Sequence, residues 1–395
     1  MAIVDGLEEV EDSVALPADR HVDPDEFFAK NAFRIVYQTN NFFLPQLRDI
    51  IDRGEVLNLR PEYQRRLRWK GAQKSRLIES LLLNIPIPPV FLYESDAARY
   101  EVMDGQQRLN AVQEFMAGDF ALSNLQVLQP LNGLRYSRCP PRIKRALDRS
   151  TLSAIVLLLE SELASGSAIS IADIRRFVFD RLNTGGTRLN PQEIRNAIYP
   201  GNFNRALVEM SRLQVFTDVF EIPSYTEADP NDYYENEQRQ KNTLYATMGD
   251  LQLVLRYFAL RDEENIRGSM KSMLDRAMEV RVDMTNDDAN SARAEFESRF
   301  ALLDRLFDGR PFRLQPDEHG RTRISAALYD ASMVALQRSW ERKADIEADK
   351  NAIQTRLGKA LSNNDKQALL TGQANTAQAV RDRIAFMGSI LLPDG

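Results

Sequence analysis

The sequence predicts an α+β protein: a small mixed-sheet N-terminal domain followed by a mainly α-helical C-terminal domain. Three observations predict it. Two strand-like runs, VFLYE and RYEVM, flank the polar turn SDAA and lead at once into a helical period from about Gln106 to Met116. A further run rich in β-branched and apolar residues, STLSAIVLLLE, reads as a third strand. Beyond residue 242 the apolar stretches LQLVLRYFAL, SMKSMLDRAM, FESRFALLDRLF, ISAALYDASMVALQ and AVRDRIAFMGSILL all read as helices.

Each element follows from local chemistry. Residues 1–30 hold nine acids against two bases and lack a sustained period, which predicts an acidic, mobile arm. Since the whole chain carries a net charge of −6, the remainder is close to neutral, with basic stretches at 54–76 and 134–150. Phe42, Phe43, Leu47, Ile50 and Ile51 recur at helical spacing and predict a helix over 41–53. VLNL reads as a short extended piece. Leu77, Ile78, Leu81 and Leu82 predict a helix over 72–83. IPIPP ends it, because proline donates no N–H and biases its predecessor to extended backbone. The helix after RYEVM stops at Gly118.

Ile174, Phe177, Val178 and Leu182 predict the buried face of a helix over 171–182, closed by the glycines of NTGG. Asn190, Pro191 and Glu193 have the spacing of an N-cap, a first-turn proline and a capping box. Apolar content collapses over 221–241, which predicts a linker between a domain at 31–220 and a helical domain at 242–395.

Composition narrows the chemistry. No apolar run approaches the roughly 18–20 residues of a membrane span, and the acidic start is unlike a secretory leader. With Cys139 as the single cysteine, the expectation is a cytoplasmic protein without a disulfide framework. His21 and His319 are the two histidines, which leaves no material for a His/Cys zinc cluster or a His-Asn-His nuclease. Arg313 and His319 have the formal spacing of a HEPN ribonuclease motif, but Leu314 and Pro316 make a turn of it. Walker, GxGxxG, HExxH and GxSxG patterns are absent.

Three constellations remain. In DGQQR, Gly105 lets a strand turn tightly into a helix whose first N–H groups and Arg108 would bind an anion. Asp104 would hold a metal ion or a water there, and Gln106 and Gln107 supply neutral donors and acceptors. Asp104, Gln107 and Arg108 are therefore the catalytic candidates, and Gly105, Gln106 and Arg108 line the phosphate side. In FDRLNTGGTRLNPQEIRNAIYPG, Asn183 and Gly186 belong to a close-approach loop. In RPEYQRRLRWKGAQK, Arg65 and Lys74 are candidates to close over bound phosphate. Arg60, Arg66, Arg68 and Lys70, with Arg142, Lys144 and Arg145 from the second basic stretch, are candidates for nucleic-acid phosphates. An N-cap, a helix–loop–helix connection and a solvated charged face are the plainer readings of the three in turn.

PEYQR with a downstream Trp69, a helix ending IPIPP, DGQQRL after a strand, and FDRLNTGGTRLNPQEIRNA occur in that order. Over about residues 40–205 the chain resembles the N-terminal domain of GmrSD-type restriction endonucleases, within the ParB/sulfiredoxin-like superfamily. MGDLQLVLRYFAL, residues 248–260, resembles the helical continuation of that family. The resemblance implies a nucleoside-triphosphate pocket with Asp104–Arg108 as its signature, lined by Gln64, Arg65 and Asn183. It also implies NTP hydrolysis in defence against modified or foreign DNA, and residue chemistry assigns Asp104 to position Mg²⁺ or the attacking water. Full-length relatives carry a C-terminal His-Asn-His nuclease, for which this chain has no histidine pair. The expectation is an NTP-hydrolysing regulatory or DNA-sensing subunit of a restriction-like or toxin–antitoxin-like system, partnered by a separate nuclease, with an oligomer as an open alternative. A non-catalytic nucleotide-binding adaptor and, lower, an intrinsic metal-dependent nuclease are the alternatives.

Overall fold

In the computed structural model of the chain, the described residues are 4–7, 36–54, 56–59, 69–96, 99–158, 177–178, 181, 190–199, 201–225, 236–316, 322–372 and 376–393. They fall into two compact units. One consists of Leu16–Pro61 and Leu67–Arg188, the other mainly of Leu189–Gly395 with Met1–Ala15.

The first unit is built on a mixed five-stranded sheet. Its strands are β1 (Tyr37–Phe43), β2 (Leu57–Asn58), β3 (Val90–Asp96), β4 (Arg99–Asp104) and β5 (Thr151–Leu157), in the order β1-β5-β3-β4-β2. β1 pairs antiparallel with β5, and β3 antiparallel with β4; β3–β5 and β4–β2 are parallel. Leu152, Ala154 and Val156 alternate along β5 and are buried, so one sheet face supplies a core wall. Helices α1 (Leu44–Arg53), α2 (Gly71–Leu82), α3 (Gln106–Ala117) and α4 (Pro141–Arg149) contribute Leu47, Ile78, Phe115 and Leu147 to the same core.

The strands over 90–104 and 151–157 and the helices over 71–82 and 106–117 lie where the patterns predict them. Asn41–Phe43, expected within a helix, are instead the end of β1. The sheet outcompetes the local period here, because every residue of β1 has a partner on β5 up to Phe43 opposite Thr151. The helix starts one residue later, its entry fixed by Phe43 N–H donating to Gln46 Oε1 at 3.1 Å. The predicted helix 171–182 lies largely outside the described residues. Of its expected buried face, Val178 is buried but Phe177 is 41% exposed, with the Arg181 guanidinium 4.2 Å from its ring centroid.

The second unit is helical. It begins with α5 (Pro191–Ile198), whose capping box forms as its sequence dictates: Asn190 Oδ1 accepts from Glu193 N–H at 2.9 Å, and Asn190 N–H donates to Glu193 Oε2 at 2.8 Å. α6 (Asn202–Ser211), α7 (Gly249–Leu260), α8 (Met270–Glu279), α9 (Asn286–Leu306), α10 (Ala326–Arg338) and α11 (Ala377–Leu391) follow. All residues of α7 are buried, so it is the unit's central helix, packed by α5, α6, α8 and α10. Phe296 and Phe300 of α9 and the neighbouring Phe216 and Phe220 pack their rings tilted against one another, with centroids 4.6–6.2 Å apart.

Residues 189–220, expected with the sheet domain, belong to this helical unit, since α6 packs on α7 and α9. The N-terminus also departs from a wholly mobile arm. Val4–Asp5 pair in parallel with Ile324–Ser325, Arg323 meets the Asp5 carboxylate at 3.2 Å, and Gln252 Nε2 donates to Leu7 O at 3.0 Å. Among the described residues no helix is long and apolar enough to cross a membrane.

Candidate functional site

DGQQR occupies the junction of β4 and α3. Gly105 makes the turn in the left-handed region (φ +96°), and a Cβ there would lie 2.4 Å from Val90 Cγ1 and 3.0 Å from Arg108 Nη2. Glycine is thus required twice, for the backbone and for the closeness of β3. The turn places Asp104, the last residue of β4, one helical turn from Arg108, and Arg108 Nη2 meets Asp104 Oδ2 at 2.7 Å. The same Nη2 lies 3.3 Å from the carbonyl of Pro89, just before β3. The Asp104 side chain is 53% exposed while Arg108 is 16% exposed, and Arg108 Nε is buried without a hydrogen-bond acceptor. A solvent-facing carboxylate therefore covers a largely buried guanidinium that keeps a donor in reserve.

The two glutamines face elsewhere. Gln106 Nε2 donates to Leu59 O at 2.8 Å, and Gln107 Oε1 accepts from Trp69 N–H at 2.9 Å. Leu59 and Trp69 are the described residues on either side of RPEYQRRLR, so the first and third constellations meet at the start of α3. Arg60, Gln64, Arg65, Arg66 and Arg68 lie outside the described residues, as do Asn183 and Gly186.

Lys74 on α2 is engaged further along α3, by an ion pair with Glu114 in which both side chains are about one-sixth exposed, and its Nζ stands 5.7 Å from the Phe120 ring centroid. Lys70 is exposed at the N-cap of α2, where its N–H donates to Gln73 Oε1 at 3.0 Å. On α4, Arg142 and Arg145 are exposed and Arg149 continues their row at i+7. Among the described residues none of the three is paired with an acid. Lys144 leaves that row: its Nζ donates back to Ser137 O at 2.8 Å and sits 5.6 Å from the Tyr136 ring centroid. Arg149 was legible as the next position on a helix face; the carbonyls of Leu59 and Pro89 carry no side-chain signal at all.

Behind this surface, Glu79 on α2 accepts the N–H groups of Gln126, Val127 and Leu128 at 2.8–3.1 Å. Burial alone would raise its carboxyl pKa, but those three donors and Arg76 outweigh it and hold it below the ordinary value. Among the described residues no group of three or more His, Cys, Asp or Glu side chains converges as a metal site.

Residues 47–200 match the family model of the GmrSD restriction endonuclease N-terminal domain. The chain carries a GmrSD N-terminal domain. The match begins in α1, takes in the whole DGQQR junction and ends just past α5. No curated protein and no solved structure matches the chain. The GmrSD match suggests a restriction-like defence protein.

Proposed function

We propose that the GmrSD-type domain binds a nucleoside triphosphate at the start of α3 and hydrolyses it, as the regulatory half of a restriction-like defence system. The observation that carries this is the Asp104–Arg108 pair at a helix N-terminus, with the buried Arg108 Nε lacking an acceptor. Phosphate oxygens would satisfy that donor and take Arg108 from Asp104, and the helix terminus favours the same charge. Asp104 is then released toward solvent, where it would hold the hydrolytic water or a metal ion. A lone carboxylate fits Mg²⁺, which takes most of its ligands from phosphates and water, and the ion would supply charge neutralisation on the phosphates. Hydrolysis adds water at the terminal phosphorus and breaks its bond to the bridging oxygen.

Phosphate release from each of the four NTPs with Mg²⁺ tests this, for the unmodified chain and Arg108→Ala. Turnover is expected to fall at least about a hundredfold, the usual scale for a lost transition-state charge contact. Turnover that survives the substitution removes DGQQR from the mechanism. Binding without turnover is a second reading, favoured by the engagement of both motif glutamines with backbone rather than with each other or Asp104. Calorimetry showing tight binding and no product would select it.

The Arg142, Arg145 and Arg149 row supports a contact with nucleic-acid phosphates. Replacing all three by alanine should lower the slope of log affinity against log salt by about 3 for duplex DNA. An unchanged slope assigns the row to a protein partner, such as a separate nuclease subunit.

A further inference from the structure

The sheet of the first unit leaves one long edge open. β1 has β5 on one side, and among the described residues no strand lies on the other. The hydrogen bonds fix which groups face each way. Val36 O accepts from Leu158 N–H and Leu44 N–H donates to Ser150 O, so the even-numbered residues bond to β5. The N–H and C=O groups of Tyr37, Thr39 and Asn41 therefore point outward, while the outward N–H of Phe43 is closed by Gln46 Oε1 at 3.1 Å. The strand, YQTNNFF, carries neither of the usual protections of an edge, charge and proline. Tyr37 is 62% and Phe43 47% exposed, and Thr39 and Asn41 between them are exposed too. The opposite edge, β2, is only Leu57–Asn58, and Leu57 is buried.

We infer that β1 is the edge through which the chain pairs with a second copy of itself, antiparallel and centred on Thr39. The strand is its own complement. It is uncharged, so two copies meet without repulsion. A two-fold axis at Thr39 sets Thr39 opposite Thr39 and Tyr37 opposite Asn41, so the outward N–H and C=O groups of all three residues find partners. The odd-numbered side chains share one face. Each Tyr37 therefore also lies diagonal to the Phe43 of the other copy, about 7–8 Å away and within reach of two rings. The pairing stops at two copies, because it uses the open edge of both and the β2 edge is too short to continue it. The two five-stranded sheets become one continuous sheet. Since no charge takes part, the association is insensitive to salt, unlike the phosphate contact proposed for α4.

Sedimentation equilibrium of the full chain tests the pairing, with thermal melting as the check on folding. The parent is expected to be a dimer at micromolar concentration, with the same dissociation constant in low and high salt. Thr39→Lys sets two ammonium groups face to face at the axis and should raise that constant at least about tenfold. Its side chain replaces an exposed one, so the β1–β5 ladder is kept. Thr39→Cys reads the register, and decides the matter alone should the lysine variant fail to fold. Opposed Cα atoms in such a pair stand about 5.5 Å apart, within disulfide range. Mild oxidation should then give a cross-linked dimer that a reductant releases. Asn40→Cys, one position off the axis, should not cross-link, and neither should the parent, whose Cys139 is buried. A monomeric parent overturns the proposal, as does a dimer that a folded Thr39→Lys variant holds equally well. A dissociation constant that climbs steeply with salt places the contact elsewhere, and cross-linking at Asn40 in place of Thr39 overturns the register.

Discussion

Two arginine–aspartate pairs, one in each unit, have similar chemistry and opposite settings. In the helical unit, Arg256 on α7 and Asp330 on α10 are both fully buried, with Arg256 Nε 2.9 and 3.1 Å from the two carboxylate oxygens and Nη2 2.5 Å from Oδ2. In the sheet unit, Arg108 meets Asp104 through a single Nη2–Oδ2 contact, and half of the carboxylate faces water. Burial makes the first pair hard to open, since separating its members strands a charge away from solvent. The second pair opens at little cost, because water receives Asp104 as soon as a ligand takes Arg108. Exposure, more than residue type, therefore separates a structural ion pair from one that a ligand can enter.

The largest test of this contrast is Asp330→Ala. It leaves Arg256 charged and buried, and should cost about 3–5 kcal/mol, read as a lowered chemical-denaturation midpoint. A loss as small as that of a surface pair would erase the distinction. Gly105→Ala comes next. A left-handed alanine costs about 1–2 kcal/mol, and its Cβ would meet Val90 Cγ1 at 2.4 Å. The variant should both melt earlier and lose nucleotide binding, because Arg108 Nη2 is also within 3.0 Å of that Cβ.

Glu79 supplies an intermediate case, a buried carboxylate satisfied by three backbone donors instead of an arginine. Glu79→Gln should cost about 1–2 kcal/mol at neutral pH, as charge-assisted bonds give way to neutral ones. Its folded pKa lies below the ordinary value of 4.5. The stabilisation is thus complete above about pH 4.5 and is lost as pH falls through the lowered folded value. Melting curves of parent and variant should converge at low pH and separate above it; a gap that widens on acidification would reverse the assignment. The smallest expected effect is Arg108→Ala on stability, about 1 kcal/mol or less. Combined with lost phosphate release, that is the signature of a pair kept for its ligand. A large stability loss would instead make the Asp104–Arg108 pair resemble Arg256–Asp330.

Much of the fold was legible because its signals are local. Prolines after α2, the left-handed Gly118 after α3 and the Asn190–Glu193 box before α5 act within a few residues of themselves. β1 was misread at Asn41–Phe43 because its reason for being extended is β5, more than a hundred residues away in sequence. The candidate site divides in the same manner. Asp104, Gly105 and Arg108 meet within one strand–turn–helix and could be read from spacing. The partners of Gln106, Gln107 and Lys74 could not, since two are backbone groups and the third, Glu114, becomes a partner only when α2 packs on α3. Arg256 and Asp330 were hidden for a related reason: an arginine inside LQLVLRYFAL looks like a helix's solvated edge until every side of that helix proves covered.

The short pairing of Val4–Asp5 with Ile324–Ser325 bears on how the chain is made. During synthesis this strand has no partner on Ile324–Ser325 until more than three hundred further residues have been added, and Gln252 and Arg256, which hold the backbone of Leu7 and Gly6 just after it, come late as well. The described strands of the sheet unit, by contrast, are complete by residue 157. During synthesis the sheet can therefore close while the N-terminal strand still waits, and the helical body is finished by a piece of chain that left the tunnel before any of its helices.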